Sequence, residues 1–169
     1  MQQSSIHLIR TDQRNRARLA ISPHLPTPGF IHGNLKGSNV FVKNDGSACI
    51  LNSGIAFVLD DSTASVAGPV RWMAPEVMYS EGPLYDHSLK ADVYAFAMTV
   101  IEILSGNLPF AHIYREGAVI LRVIQGERPQ HSPGDFTVPG LWQLLEECWK
   151  QEAYERPDMN EALMYLENL

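Results

Sequence analysis

An imidazole, two carboxamides and an ammonium crowd one short stretch of the chain, at His32, Asn34, Lys36 and Asn39. A further carboxamide, Asn52, stands a little downstream. A carboxamide donates and accepts hydrogen bonds, but it cannot take a proton at neutral pH and is a poor ligand for a hard cation beside a carboxylate. Chemistry that needs a base or a held divalent ion is therefore poorly served by these side chains. The six histidines are scattered without ligand spacing, so no metal site is expected. Cys49 and Cys148 match neither a metal nor a disulfide pattern, which suits a reducing compartment. Ser62, Thr63 and Ser65 lie in a polar stretch where hydroxyls commonly serve turns.

The elements that must position these groups belong to one domain. A length of 169 residues, 45% apolar and 19% charged, is that of a single globule with a sizeable core. A net charge of −6 argues against nucleic acid, whose phosphates call for a basic surface. The longest apolar stretch, residues 93–104, is broken by Thr99 and Glu102 and is too short and polar to span a bilayer. No membrane association is expected.

Residues 1–29 form a segment of their own. It carries Arg10, Arg14, Arg16 and Arg18, with Asp12 the only acid before Leu19. That is the composition of an organellar leader, but there is no clear amphipathic repeat or cleavage site. A solvated helix with Ile6, Leu8, Ile9 and Leu19 turned to a core is the preferred reading. Prolines 23, 26 and 28 then exclude any helix across residues 22–29.

Residues 39–43 and 47–51 are β-prone and flank Asn44-Asp45-Gly46, a hairpin signal. Residues 52–68 read as a long surface loop. Ser88 is a natural N-cap for a helix running to about Leu104 and closed by Ser105-Gly106. That helix is apolar on almost every face, so it should be the buried post of the domain. Helical spacing predicts three more helices, over 114–125, 141–150 and 159–169. The predicted fold is mainly α with a small β-hairpin, over residues 30–169.

The order of short motifs adds a resemblance. His32-Gly33-Asn34-Leu35-Lys36-Gly37-Ser38-Asn39 precedes the hairpin, and Asn52-Ser53-Gly54 follows it. Arg71-Trp72-Met73-Ala74-Pro75-Glu76 ends the long loop, and Asp92-Val93-Tyr94-Ala95-Phe96 opens the buried helix. Cys148-Trp149 and Arg156-Pro157 complete the series. In this order they resemble the catalytic loop, magnesium-binding triplet, activation-segment end and C-lobe helices of eukaryotic protein kinases. The RWMAPE wording is similar to the tyrosine-kinase-like branch, and Lys36 after Leu35 to a Ser/Thr-type catalytic loop. No Gly-rich loop and no V-A-I-K-like lysine occurs, so the resemblance is to the C-terminal lobe only.

The resemblance implies ATP and Mg²⁺ as family cofactors, and a role for each matching position. Asn34 stands where the family has its catalytic aspartate, and Asn52 where it has its magnesium-binding aspartate. Lys36 would face the transferred phosphate, and Asn39 would hold a second magnesium. Gly33 replaces the arginine that grips an activation-loop phosphate, Ser53 the Phe of the triplet, and Pro69 a threonine. His32, Glu76, Asp92 and Arg156 match positions that hold the fold together. Losing a general base alone typically costs two to four orders of magnitude in rate, about 10²–10⁴. Chemistry residues replaced and fold residues kept imply a cytoplasmic pseudokinase fragment that serves as a scaffold for a protein partner, such as another kinase. The alternative is an active Ser/Thr kinase that tolerates both asparagines.

Overall fold

The computed structural model describes residues 10–11, 17–18, 31–44, 48–50, 70–79, 88–130 and 138–169. Two small antiparallel ladders come first. Arg10–Thr11 (β1) pairs with Ala17–Arg18 (β2), in the register Arg10↔Arg18 and Thr11↔Ala17. At these four residues a strand pair stands in place of the expected solvated helix. An isolated helix needs a repeating apolar face to hold it, and this segment has none, whereas a local ladder satisfies backbone groups without one. The proline-rich stretch 22–29 lies outside the described residues.

The second ladder is the expected hairpin. Val40–Val42 (β3) pairs with Ala48–Ile50 (β4), with Val40 opposite Ile50 and Phe41 opposite Cys49. Cys49 and Ile50 are buried, while Phe41 and Val42 are exposed.

Among the described residues, five helices follow. The first, Pro75–Tyr79 (α1), is too short to show a period in the sequence, and Pro75 at its first position needs no donor there. The long helix Leu89–Ser105 (α2) begins where the Ser88 side chain accepts the Ala91 N–H at 3.1 Å. It ends at Gly106, whose left-handed φ of 68° turns its N–H onto the Glu102 carbonyl. Every residue from Ala91 to Ile101 is buried, as a helix apolar all round requires. Thr99 is wholly enclosed and donates its hydroxyl to the Ala95 carbonyl at 2.8 Å, which makes a polar group tolerable there.

Three further helices follow, two of which pack on this post. Glu116–Ile124 (α3) buries Val119 and Val123, one turn apart. Leu141–Cys148 (α4) buries Leu141, Leu144, Leu145 and Cys148, a single stripe. Met159–Glu167 (α5) starts with a capping box: the Glu161 N–H donates to Asp158, and the Asp158 N–H donates back to the Glu161 carboxylate. α4 and α5 both pack on α2 and on each other. Trp142 and Trp149 close the α4 side edge to face, with ring centroids 5.1 Å apart. Among the described residues, no helix is long and apolar enough to cross a membrane.

Candidate functional site

The loop 32–39 is shaped by side chains reaching it from α2. Asp92, in the first turn of that helix, accepts the His32 N–H at 2.6 Å and the Gly33 N–H at 2.9 Å. A carboxylate in the first turn also meets the positive end of the helix. The loop then folds back on itself. The Asn34 N–H donates to His32 Nδ1 at 3.2 Å, and Asn39 Nδ2 donates to the Asn34 carbonyl at 2.8 Å. His32 and Asn39 are buried, and Gly37–Asn39 closes as a 3-10 turn leading into β3. Lys36 precedes that turn in extended conformation and is half-buried.

His32, Asn34, Lys36, Asn39 and Asp92 are thus brought to one place. Asn52 lies outside the described residues, as do the long loop 52–68 and Pro69. Beneath the loop is a cavity of about 20 Å³, lined by Gly33, Asn34, Trp72, Met73 and Asp92 among others. Asn34 Oδ1 is buried without a hydrogen-bond partner among the described residues. A space of this size suits a water molecule, not a nucleotide, which needs several hundred Å³.

The fit to magnesium is poor at the described positions. Loop 32–39 contains amides and an ammonium but no carboxylate. Magnesium is held through carboxylate and phosphate oxygens, and Lys36 adds positive charge. Among the described residues, no group of three or more His, Cys, Asp or Glu side chains could hold a metal ion.

Glu76 and Arg156 sit away from this loop and join α1 to the turn before α5. Arg156 Nη1 and Nη2 donate to the two Glu76 oxygens at 2.7 and 2.8 Å. The guanidinium also reaches the carbonyls of Lys90, Lys150 and Gln151, and its side chain is wholly buried. Glu76 is 31% exposed, so the pair is enclosed on the arginine side only. Arg156 also lies 5.3 Å from the centre of the Tyr94 ring, with Arg128 at 5.4 Å. The Tyr94 hydroxyl is buried and has no partner among the described residues. Burial pushes its pKa up to about 12, a rise partly offset by the two guanidiniums.

Two positioning residues escaped sequence reasoning. Arg71 is buried and donates to the carbonyls of Pro109, Phe110 and Ile113 at 2.7–2.8 Å. Phe110 has a left-handed φ of 56°, uncommon for a residue with a side chain. Glu102, which in the sequence only interrupts an apolar run, accepts the Gly37 N–H and the Trp72 indole N–H. Arg71 stands in a conspicuous motif, but its backbone acceptors leave no trace of residue type.

This geometry can be set beside known proteins. A family model described as protein tyrosine and serine/threonine kinase matches residues 21–166, most of the chain. The chain belongs to the protein kinase family. It is similar to the serine/threonine-protein kinases STY17 and STY46 of Arabidopsis thaliana, at 35% and 32% identity over 148 residues. It is 32% identical over 149 residues to the human serine/threonine-protein kinase TNNI3K. The first two matches cover 86% of this chain and the third 85%. This kinase-family chain spans only 25% of the length of each plant relative and 17% of the human one. The helical architecture with one hairpin is that of a kinase C-lobe. The kinase relatives agree with the tyrosine-kinase-like and Ser/Thr character expected from RWMAPE and Lys36.

Proposed function

We propose that this chain is a non-catalytic kinase C-lobe, a pseudokinase module that binds a signalling protein, such as another kinase, in the cytoplasm. One observation supports the reading: loop 32–39, held by Asp92, carries the neutral Asn34 amide and no carboxylate, and by resemblance Asn34 stands at the position of the base-like group in phosphoryl transfer. Asn52, at the second acidic position by resemblance, points the same way. The contacts that hold the fold are meanwhile kept: Glu76 with Arg156, and Asp92 with the loop amides.

The partner surface proposed is the region 113–125 together with residues 52–68, which lie outside the described residues. On its described part, Tyr114 is 95% exposed and Leu121 61% exposed on α3, apolar area that a protein partner would cover. The test is incubation of the purified protein with magnesium-ATP and a generic protein substrate. No phosphate incorporation is expected, and transfer above a heat-inactivated control would end the proposal.

A second reading is an active Ser/Thr kinase, favoured by Lys36, Asn39 and the serine/threonine kinases among its relatives. It requires that Asn34→Asp with Asn52→Asp raise activity in a full-length protein. A full-length double variant that stays inert would remove it.

A further inference from the structure

Helix α5 carries apolar residues on two sides. Ala162 and Leu163 are buried, and Leu166 packs partly buried against the core. Met164, Tyr165 and, just past the helix, Leu169 are exposed instead, Met164 by 64%. Glu161, Met164, Tyr165 and Asn168, spaced three and four residues apart, share one side of the helix. With Leu169 they line an open hollow of about 500 Å³. A second hollow of about 680 Å³ adjoins it, since Glu161 and Tyr165 line both. Its other apolar lining is Leu144 of α4 and Pro157.

The charge on this face is almost all of one sign. Glu146 and Glu147 come from α4, Glu155 from the 3-10 turn Ala153–Glu155, and Glu161 from α5, and all four are exposed. Lys150 offsets Glu147 at 2.6 Å. Arg156 also lines the second hollow, but its guanidinium is taken up by Glu76 and backbone carbonyls. Residues 141–169 hold seven acidic side chains against two basic ones, Lys150 and Arg156, so this stretch carries most of the chain's net charge of −6.

We propose that the α4–α5 face is a docking surface for a basic, amphipathic segment of another protein. The apolar side chains of that segment cover Met164, Tyr165 and Leu169, and its lysines or arginines meet Glu146, Glu155 and Glu161. Covered apolar area supplies affinity, while the carboxylates steer the encounter and reject acidic partners. A second copy of this chain is the poorer occupant, because pairing the face with itself sets carboxylates against carboxylates. The surface shares no residue with the region 113–125, and it does not depend on whether the chain transfers phosphate.

The test uses the full chain and, as probe, a fluorescein-labelled peptide of leucine and lysine about four helical turns long, its leucines roughly three and four residues apart. Fluorescence anisotropy should show binding that weakens as salt is raised. Glu155→Lys and Met164→Ser alter exposed side chains and should each weaken binding roughly tenfold or more. Glu116→Lys makes the same change of charge on α3 and should leave binding within about twofold, since distant surface charges are screened. In the ¹⁵N-labelled chain the peptide should shift the amide signals of residues 143–147 and 161–169. Without peptide the chain should sediment as a monomer.

Absence of binding, or amide shifts confined to other elements, would overturn the proposal. Equal weakening by Glu155→Lys and Glu116→Lys would do the same, since attraction to net charge alone would then explain the binding. So would equally tight binding of a peptide with serine in place of leucine. A dimer that Met164→Ser dissociates would assign the face to a second copy and sink the idea as well. The amide shifts are read on the unaltered chain, so they do not depend on a variant folding.

Discussion

Arg156 and Tyr94 show how differently two enclosed polar residues can be satisfied. The guanidinium meets a carboxylate and three backbone carbonyls, whereas the tyrosine hydroxyl meets no partner among the described residues. Removing Glu76 strands a buried cation, so Glu76→Ala is expected to destabilise the fold by about 3–5 kcal/mol in urea denaturation. Tyr94→Phe keeps the ring between its two arginines and deletes an unpaired hydroxyl. It should be neutral or raise stability by up to about 1–3 kcal/mol, and a clear loss would show that the hydroxyl has a partner.

The same residues shape the alkaline limb of stability. Burial pushes the Tyr94 hydroxyl from 10.0 to about 12 and the Cys148 thiol from 9.0 to about 12. Both groups hold their protons more tightly when folded, so their contribution is fully present below pH 9 and is lost as pH rises through about 12. Denaturation midpoints measured against pH should fall over that window. In Tyr94→Phe the part of the fall that begins near pH 10 should shrink.

At the scale of elements, the helices were legible from caps and periods. Ser88 and Gly106 bound α2 as their residue types demand, and the Leu141, Leu144, Leu145, Cys148 stripe predicts α4 with the correct buried face. Ser88→Ala or Asp158→Ala should each cost about 0.5–2 kcal/mol, read as a lowered denaturation midpoint with unchanged slope. Leu145→Ala, at a fully buried position of α4, should cost about 2–5 kcal/mol. α1 was not legible, because five residues are too few for a period to show. The β1–β2 pair was not legible either, since two-residue strands carry no alternation.

For the molecule as a whole, the open question is whether a kinase C-lobe with amides at Asn34 and Asn52 keeps any nucleotide site. Ligand binding to the folded state alone raises its melting temperature by linkage. Under the scaffold reading, ATP should leave the thermal midpoint unchanged with or without magnesium. A shift of several degrees that requires magnesium would favour the catalytic reading.

The chain alone determined the longer helices, the β3–β4 hairpin and what charge the loop carries. Caps, periods and turn residues act locally, and an asparagine is neutral wherever it is placed. Tertiary structure decided which backbone groups those elements hold: Asp92 on the amides at 32 and 33, Glu102 on the amide at 37, Arg71 on three carbonyls. The physical reason is that nearly every residue offers a main-chain N–H and every residue a carbonyl. A side chain that binds them leaves no signature in its partner's identity, and only the folded path of the backbone selects which ones come within reach.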